Sequence, residues 1–550
     1  MLSSWIYCSS LPQEALLEED LQEVINNENS TLKTLRLNLV ENGLDNNAII
    51  DWDDLGRLIG THSSLKEVNI DGYDILWKDK AKCSRFFDNI STSESIDNIV
   101  IMNVKSPDML SISLFNNTLC SLTLIHCDLG IKGYNALAML LKNTACKLEA
   151  LGIIACDFDT ESSVSTIKNA LKNNSTVKRL RIYFPKPLLD QRISATWALK
   201  LSSVEDLTLI DRESIVVDEG ELAEMGDILG GNTTTLKMFK VGLGPQITTE
   251  GWDTFFFNFM GNHTLEYLDL SGHDNISVPN LMSALTNNST LKTLNLEYLF
   301  ADFNGLRWVA NFLKSPKCAL ENIYLEGNHE GGAVDSLTFK EFTAACMTNR
   351  TLKNLYLKLP RDASEMNTPE GQWYQVMKKL AHILFDMRSI NKTYDSNHIL
   401  ESICYPHKEE RFRQAMSACS SMARMLPHHL TMNWEADKSK VARKKIMIAH
   451  YFQKDIIRQN KEHNSEYKTL IETIVGASND MQSPEQLPNM MAWVGRETDG
   501  LSAMYDLMKK MPTLCEGSSS KSAQRCKRKL SALEIECEAF QNGELGSFSP

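Results

Sequence analysis

The pattern Leu-x-x-Leu-x-Leu returns along the first two-thirds of the chain at a nearly fixed interval. It reads Leu119, Leu122, Leu124, then Leu148, Leu151, Ile153, then Val177, Leu180, Ile182, with 29 residues between successive starts. A fixed period with one short apolar strand per unit specifies a repeat solenoid. No single unit can bury its own apolar face, so each needs its neighbours. Starts at Leu32, Leu65, Ile96, Leu119, Leu148, Val177, Val204, Leu236, Leu265, Leu291, Leu320 and Leu352 give twelve candidate strands. The units at Leu65 and Ile96 are the least regular, with Val68 and Ile70, and Ile99 and Ile101, in the core positions. Positions 1, 4 and 6 of each unit point to the interior, and the residues between them stand on the opposite face.

Parallel strands need a crossover connection. The stretches 134–143, 161–174 and 278–288 supply it, with apolar residues recurring at three and four. Residues 10–27 read as a capping helix over the open edge of the first strand. Ser10 is its N-cap, Gln13 completes a capping box, and Leu17, Leu21, Val24 and Ile25 share one face. The strand pattern stops near residue 373, and four later stretches read as helices. The expected division is a capping helix at 1–31, a solenoid at 32–372, a helical region at 373–540 and a disordered tail at 541–550.

The repeats resemble the ribonuclease-inhibitor type of leucine-rich repeat over roughly residues 30–360, carried by the LKxLxL blocks. The resemblance implies an α/β solenoid with a parallel concave sheet and convex helices, and an all-α region after it. The position eight residues after the first Leu holds Cys127, Cys156 and Asn328, but also Val40, Pro185 and His273, so its side-chain ladder is expected to break in those units. Unit length also varies: it is 26 residues after Leu265 but 32 after Val204. Segments 389–400, 441–452 and 487–512 resemble the helical tails of uncharacterised diatom leucine-rich-repeat proteins, which implies architecture and no activity.

A net charge of −13 argues against a dominant nucleic-acid role, because phosphate binding draws most of its affinity from Lys and Arg. The 13 cysteines include no Cys-x-x-Cys pair. Cys120, Cys127, Cys156 and Cys346 lie within apolar patterns and read as small hydrophobes in a reducing compartment. With no signal-like N-terminus and no spanning apolar run, the expectation is a cytoplasmic protein without a membrane, the nucleus being the alternative. Sequons at Asn173, Asn174, Asn232, Asn262, Asn287, Asn288 and Asn349 each directly precede a strand. They read as asparagines ending helices in the left-handed conformation rather than as glycosylation sites.

The phosphate loop Gly-x-x-x-x-Gly-Lys, His-Glu-x-x-His and the Gly-x-Ser-x-Gly elbow are all missing from the sequence, so no enzyme, cofactor or metal is expected. Gly242 and Gly244 lack the third glycine of a dinucleotide site. Asp51, Asp53 and Asp54 read as the first turn of a helix. The neighbours His428 and His429 point apart. Two basic stretches, Arg443–Lys445 and Lys521 with Arg525, Lys527, Arg528 and Lys529, read as solvated helix faces, with nuclear import or an acidic partner as the sharper alternatives.

The concave face carries the functional expectation. Its outward residues are Asn98, Val100 and Met102, then Ser121, Thr123 and Ile125, then Ala150, Gly152 and Ile154. Arg179, Arg181 and Tyr183 follow, and later units add Tyr267, Asp269, Glu297, Tyr324, Glu326, Tyr356 and Lys358. Apolar and aromatic residues rimmed by charge are typical of interfaces, and Tyr and Arg are favoured anchors. The candidate partner-binding residues are Val100, Met102, Ile125, Ile154, Arg179, Arg181, Tyr183, Tyr267, Tyr324 and Tyr356. The expected function is an intracellular scaffold holding a protein ligand there. Cover by the chain's own helical tail is the competing explanation of the apolar face. A regulator of a small GTPase is the second expectation and an enzyme the third.

Overall fold

The structure, a computed structural model, describes residues 33–38, 52–71, 80–103, 118–156, 161–184, 195–211, 217–232, 234–300, 305–327, 336–358 and 396–404, with a few positions between 433 and 445. The expected capping helix, Asp51, His428, His429 and the basic stretch from Lys521 lie outside the described residues, as does segment 487–512.

Every one of the twelve expected strands is present. They are β1 (Thr34–Asn38), β2 (Glu67–Asp71), β3 (Asn98–Met102), β4 (Ser121–Ile125), β5 (Ala150–Ile154), β6 (Arg179–Tyr183), β7 (Asp206–Asp211), β8 (Met238–Leu243), β9 (Tyr267–Asp269), β10 (Thr293–Phe300), β11 (Asn322–Gly327) and β12 (Asn354–Lys358). A thirteenth, β13 (Ser402–Cys404), continues the strands beyond the point where the sequence pattern stops. The hydrogen-bonded order follows chain order, an open sheet. The registered pairs from β1 to β11 are parallel. By contact density the chain divides into one unit of Met1–Thr338 with Tyr356–Arg361, and another of Phe339–Leu355 with Asp362–Pro550.

The described helices alternate with these strands. They are α1 (Trp52–Thr61), α2 (Lys80–Ile90), α3 (Gly130–Lys142), α4 (Glu161–Lys172), α5 (Thr196–Leu199), α6 (Glu219–Gly230), α7 (Thr249–Phe259), α8 (Val278–Leu285), α9 (Leu306–Leu313) and α10 (Ser336–Thr348). Asp53 and Asp54 do fall in the first turn of α1. Asp218 and Thr248 cap α6 and α7, accepting from the amides of Glu221 and Gly251. None of the helices among the described residues is long and apolar enough to cross a membrane.

Each strand buries its core positions: Leu119, Leu122 and Leu124, then Leu148, Leu151 and Ile153, are all essentially inaccessible. Two helix pairs approach unusually closely. A Cβ on Gly226 or Gly230 of α6 would lie 2.6 or 2.1 Å from the carbonyl oxygen of Phe255 or Asn258 in α7. Gly56 and Gly60 of α1 stand in the same relation to Phe86 and Asn89 of α2. In both pairs an asparagine of the second helix reaches back, Asn258 to the carbonyl of Ala223 and Asn89 to that of Asp53.

Three side-chain ladders tie neighbouring units. The first uses the eighth position. The thiols of Cys127 and Cys156 reach the carbonyls of Ile101 and Leu124 at 3.5 Å, and the His273 ring reaches that of Val241 at 3.0 Å. The expected break at His273 is therefore absent, because an imidazole spans the same gap as a thiol. Val40 and Pro185 lie outside the described residues. Cys127 and Cys156 thus serve as buried polar groups, not only as hydrophobes. A hydrogen bond with Cys127 first, and burial second, raise the Cys156 pKa and keep it a thiol. Cys120 is only half-buried.

The second ladder corrects the reading of the sequons. Asn174, Asn262, Asn288 and Asn349 are buried, three residues before a strand's first apolar position. Their Oδ1 atoms accept from two backbone amides at 2.7–3.3 Å, as in Thr290 and Leu291 to Asn288. Their role is to lock the turn into the strand. Of the seven sequon asparagines, Asn232 alone takes the left-handed conformation. The second unit repeats the device: Asn397 Oδ1 accepts from Ile399 and Leu400.

The third ladder stands at the second position of each repeat. Glu149, Lys178, Glu205, Lys237, Glu266, Lys292 and Glu321 alternate in sign from one unit to the next. Lys237 pairs with Glu205 at 2.7 Å and Lys292 with Glu266 at 2.6 Å. Each of these backbone carbonyls from Glu149 to Lys292 also receives the amides of the next unit's ladder residue and of the first strand residue after it.

Lys445 departs from the sequence reading. Its side chain is fully buried rather than solvated, and its Nζ donates to the carbonyl of Asn397 at 3.0 Å. Burial, reinforced by Lys438, pulls its pKa well below the usual lysine value.

Candidate functional site

The alternation of β3 to β7 leaves one face half-exposed while the other is sealed. In-register pairing then sets equivalent residues side by side. Met102, Ile125, Ile154, Tyr183 and Ile210 form one row, each opposite the next. All five are partly accessible to solvent. Four of them come from the sequence reading, and the pairing of β6 with β7 adds Ile210. Val100 stands on the same face in the adjoining row, beside Thr123 and buried Gly152.

Arg181 occupies that adjoining row and Arg179 the one beyond it. Arg179 is exposed, and neither guanidinium has a hydrogen-bond or ion-pair partner among the described residues. Asp206 lies opposite Arg179 on β7. Burial raises the Asp206 pKa, and the charges of Arg181 and Arg179 only partly oppose that shift. Two cations and one carboxylate leave this flank net positive.

The tyrosines form a separate group. Tyr324 and Tyr356 stack with ring centroids 4.0 Å apart and planes 8° from parallel. Tyr267 donates from its hydroxyl to Asp269 at 3.2 Å. Its pKa is raised, by burial first and then by the Asp269 charge. Asp269 stands on the outward face, in register with Lys240 and Asn295, but is buried there and pairs with Lys240 at 2.8 Å. Burial alone would raise the Asp269 pKa; Lys240 and Ser271 outweigh it and hold the carboxyl below its ordinary value. The structure thus brings five of the ten candidates, Met102, Ile125, Ile154, Tyr183 and the adjoining Arg181, into contiguous positions, with Val100 and Arg179 flanking. Tyr267, Tyr324 and Tyr356 sit on β9, β11 and β12, away from that row.

The apolar row stops at Gly242, which pairs with Ile210 and lines a cavity of about 330 Å³. Lys240, Pro245, Trp252, Ser271 and Asn275 also line it. Gly242 and Gly244 thus open a pocket beside a strand end. Groups of three or more His, Cys, Asp or Glu suited to a metal ion are absent among the described residues. Among the described residues the most exposed large apolar side chains are Phe257 at 74% and Met139 at 67% accessible, both on helices, and Trp434 at 67% in a turn.

No family model matches the chain, and no curated protein matches it.

Proposed function

We propose that this chain is an intracellular leucine-rich-repeat protein of the ribonuclease-inhibitor-like type that binds a protein partner on the outward face of its sheet. The observation that carries the reading is the row Met102, Ile125, Ile154, Tyr183 and Ile210. Five large apolar residues in register on a half-exposed face cost solubility, and they contribute nothing to the sealed core opposite. Tyr183 within the row and the unpaired Arg179 and Arg181 beside it have the composition of interface anchors. The repeat architecture supports it too, since stacked units create a continuous surface for a macromolecular ligand.

The test is affinity capture with the full chain and with Ile125→Asp combined with Ile154→Asp. Both changes face away from the core, so the variant keeps its circular-dichroism melting curve. Partners held by the parent chain and lost by the variant support the reading. Unchanged capture by a folded variant overturns it.

A further inference from the structure

The apolar row has a length, a spacing and a charged flank, and together these select among partner shapes. Neighbouring strands lie about 4.8 Å apart, so the four steps from Met102 to Ile210 span about 19 Å. That is about 13 residues of α-helix at 1.5 Å per residue. On a helix a stripe of about one apolar residue per turn (i, i+4, i+7, i+11) advances about 5 Å per apolar residue, close to the row's own step. An extended segment places same-side residues about 6.6 Å apart and drifts out of step within two strands. It also gains no main-chain hydrogen bonds on the face of a sheet, whose amides and carbonyls are already used within the sheet.

One end and one side of the row are distinguished. At Gly242 the row lacks a side chain: a Cβ there would meet only Ile210 at 3.5 Å, an ordinary contact, and the cavity beside it is open. On the side toward the strand starts, Arg181 and Arg179 are unbonded among the described residues. Lys240 adds no free charge, being taken by Asp269.

We propose that the ligand of this face is an amphipathic α-helix lying across strands β3 to β7. Its apolar stripe meets Met102, Ile125, Ile154, Tyr183 and Ile210. A bulky apolar residue at one end fills the socket over Gly242, and acidic residues on one flank meet Arg179 and Arg181. This inference rests on the sheet-face reading above and adds the partner's secondary structure and charge.

Two stapled helical peptides of about 15 residues test it. Each carries the same Leu stripe ending in Trp, one flanked by Glu and the other by Lys. Fluorescence anisotropy against the full chain is expected to show the Glu peptide binding about tenfold tighter, with the gap narrowing at high salt. Arg179→Glu with Arg181→Glu reverses the preference. Ile125→Asp with Ile154→Asp abolishes binding, and Gly242→Leu, which fits the available space, weakens it about tenfold. Equal affinities for the two peptides, no binding by the Glu peptide, or binding that survives the Asp variant would each overturn the helix proposal. If natural partners are lost from the Asp variant while the Glu peptide never binds, the face stands and the helical ligand falls. If capture of natural partners survives the Asp variant, both fall.

Discussion

The side-chain amide of Asn288 donates to the backbone carbonyl of Asn262 at 2.7 Å. The residue that closes one unit's turn therefore also holds the matching residue of the unit before it. Asn397 bears the same relation to Asn349, at 3.3 Å. Because Asn288 Oδ1 meanwhile accepts from Thr290 and Leu291, one buried side chain fixes both the local turn and the stacking of units.

Replacing Asn288 by Ala strands the buried amide of Leu291, the half-buried amide of Thr290 and the buried carbonyl of Asn262. The expected loss is about 3 kcal/mol, read as a lower urea midpoint. Asn288→Asp keeps the acceptor but loses the donor and sets a carboxylate against a carbonyl. It is expected to destabilise at neutral pH and to recover part of the loss in acid, where the carboxyl is protonated. Neutral behaviour of both variants would contradict the ladder.

Gly226→Ala and Gly230→Ala distinguish packing from propensity. Helix propensity alone favours Ala by about 1 kcal/mol. The new methyl would instead meet backbone of α7 at 2.6 or 2.1 Å, so net destabilisation of about 2 kcal/mol is expected. A raised melting temperature in either variant would show that the two helices separate at little cost.

The alternating Glu and Lys ladder predicts a charge-order effect. Glu205 lowers its pKa and Lys237 raises its own through their mutual hydrogen bond first and their charges second. Lys237→Glu places a third carboxylate between Glu205 and Glu266 and is expected to lower the melting temperature, less so in high salt. Adding Glu205→Lys restores one opposite-charge contact and recovers part of the loss.

His273 gives a pH signature. Burial is the main cause lowering its pKa below 6.5. The unfolded chain then binds the proton more readily than the folded one. This contribution is complete above the unfolded value, and stability falls as pH drops from there toward the depressed folded value. His273→Asn is expected to reduce the change in urea midpoint between neutral pH and about pH 5. An unaltered pH dependence would mean that other groups set it.

The twelve strands starting from Leu32 to Leu352 were legible because burial recurs at fixed positions in every unit. β13 was not: 48 residues separate Leu352 from Leu400, and its unit offers Ile403 and Tyr405 where a regular repeat has Leu-x-Leu. The buried asparagines resembled helix-ending residues because sequence alone does not say which way a side chain turns. The alternation of Glu205, Lys237 and Glu266 acquires meaning only once residues about 30 apart become neighbours. Lys445 was misread for a similar reason, since a basic cluster does not reveal which member turns inward. Of the candidate face, the apolar row was visible by position, whereas Ile210 and the Gly242 socket emerge only from strand register.

The most direct measurement is covalent surface footprinting of the full chain, free and with its captured partner. Protection is expected at Met102, Ile125, Ile154, Tyr183 and Ile210, with Met139 and Phe257 on the helices labelled equally in both states. Protection of Met139 or Phe257 with the sheet row unchanged would contradict the assignment of binding to this face.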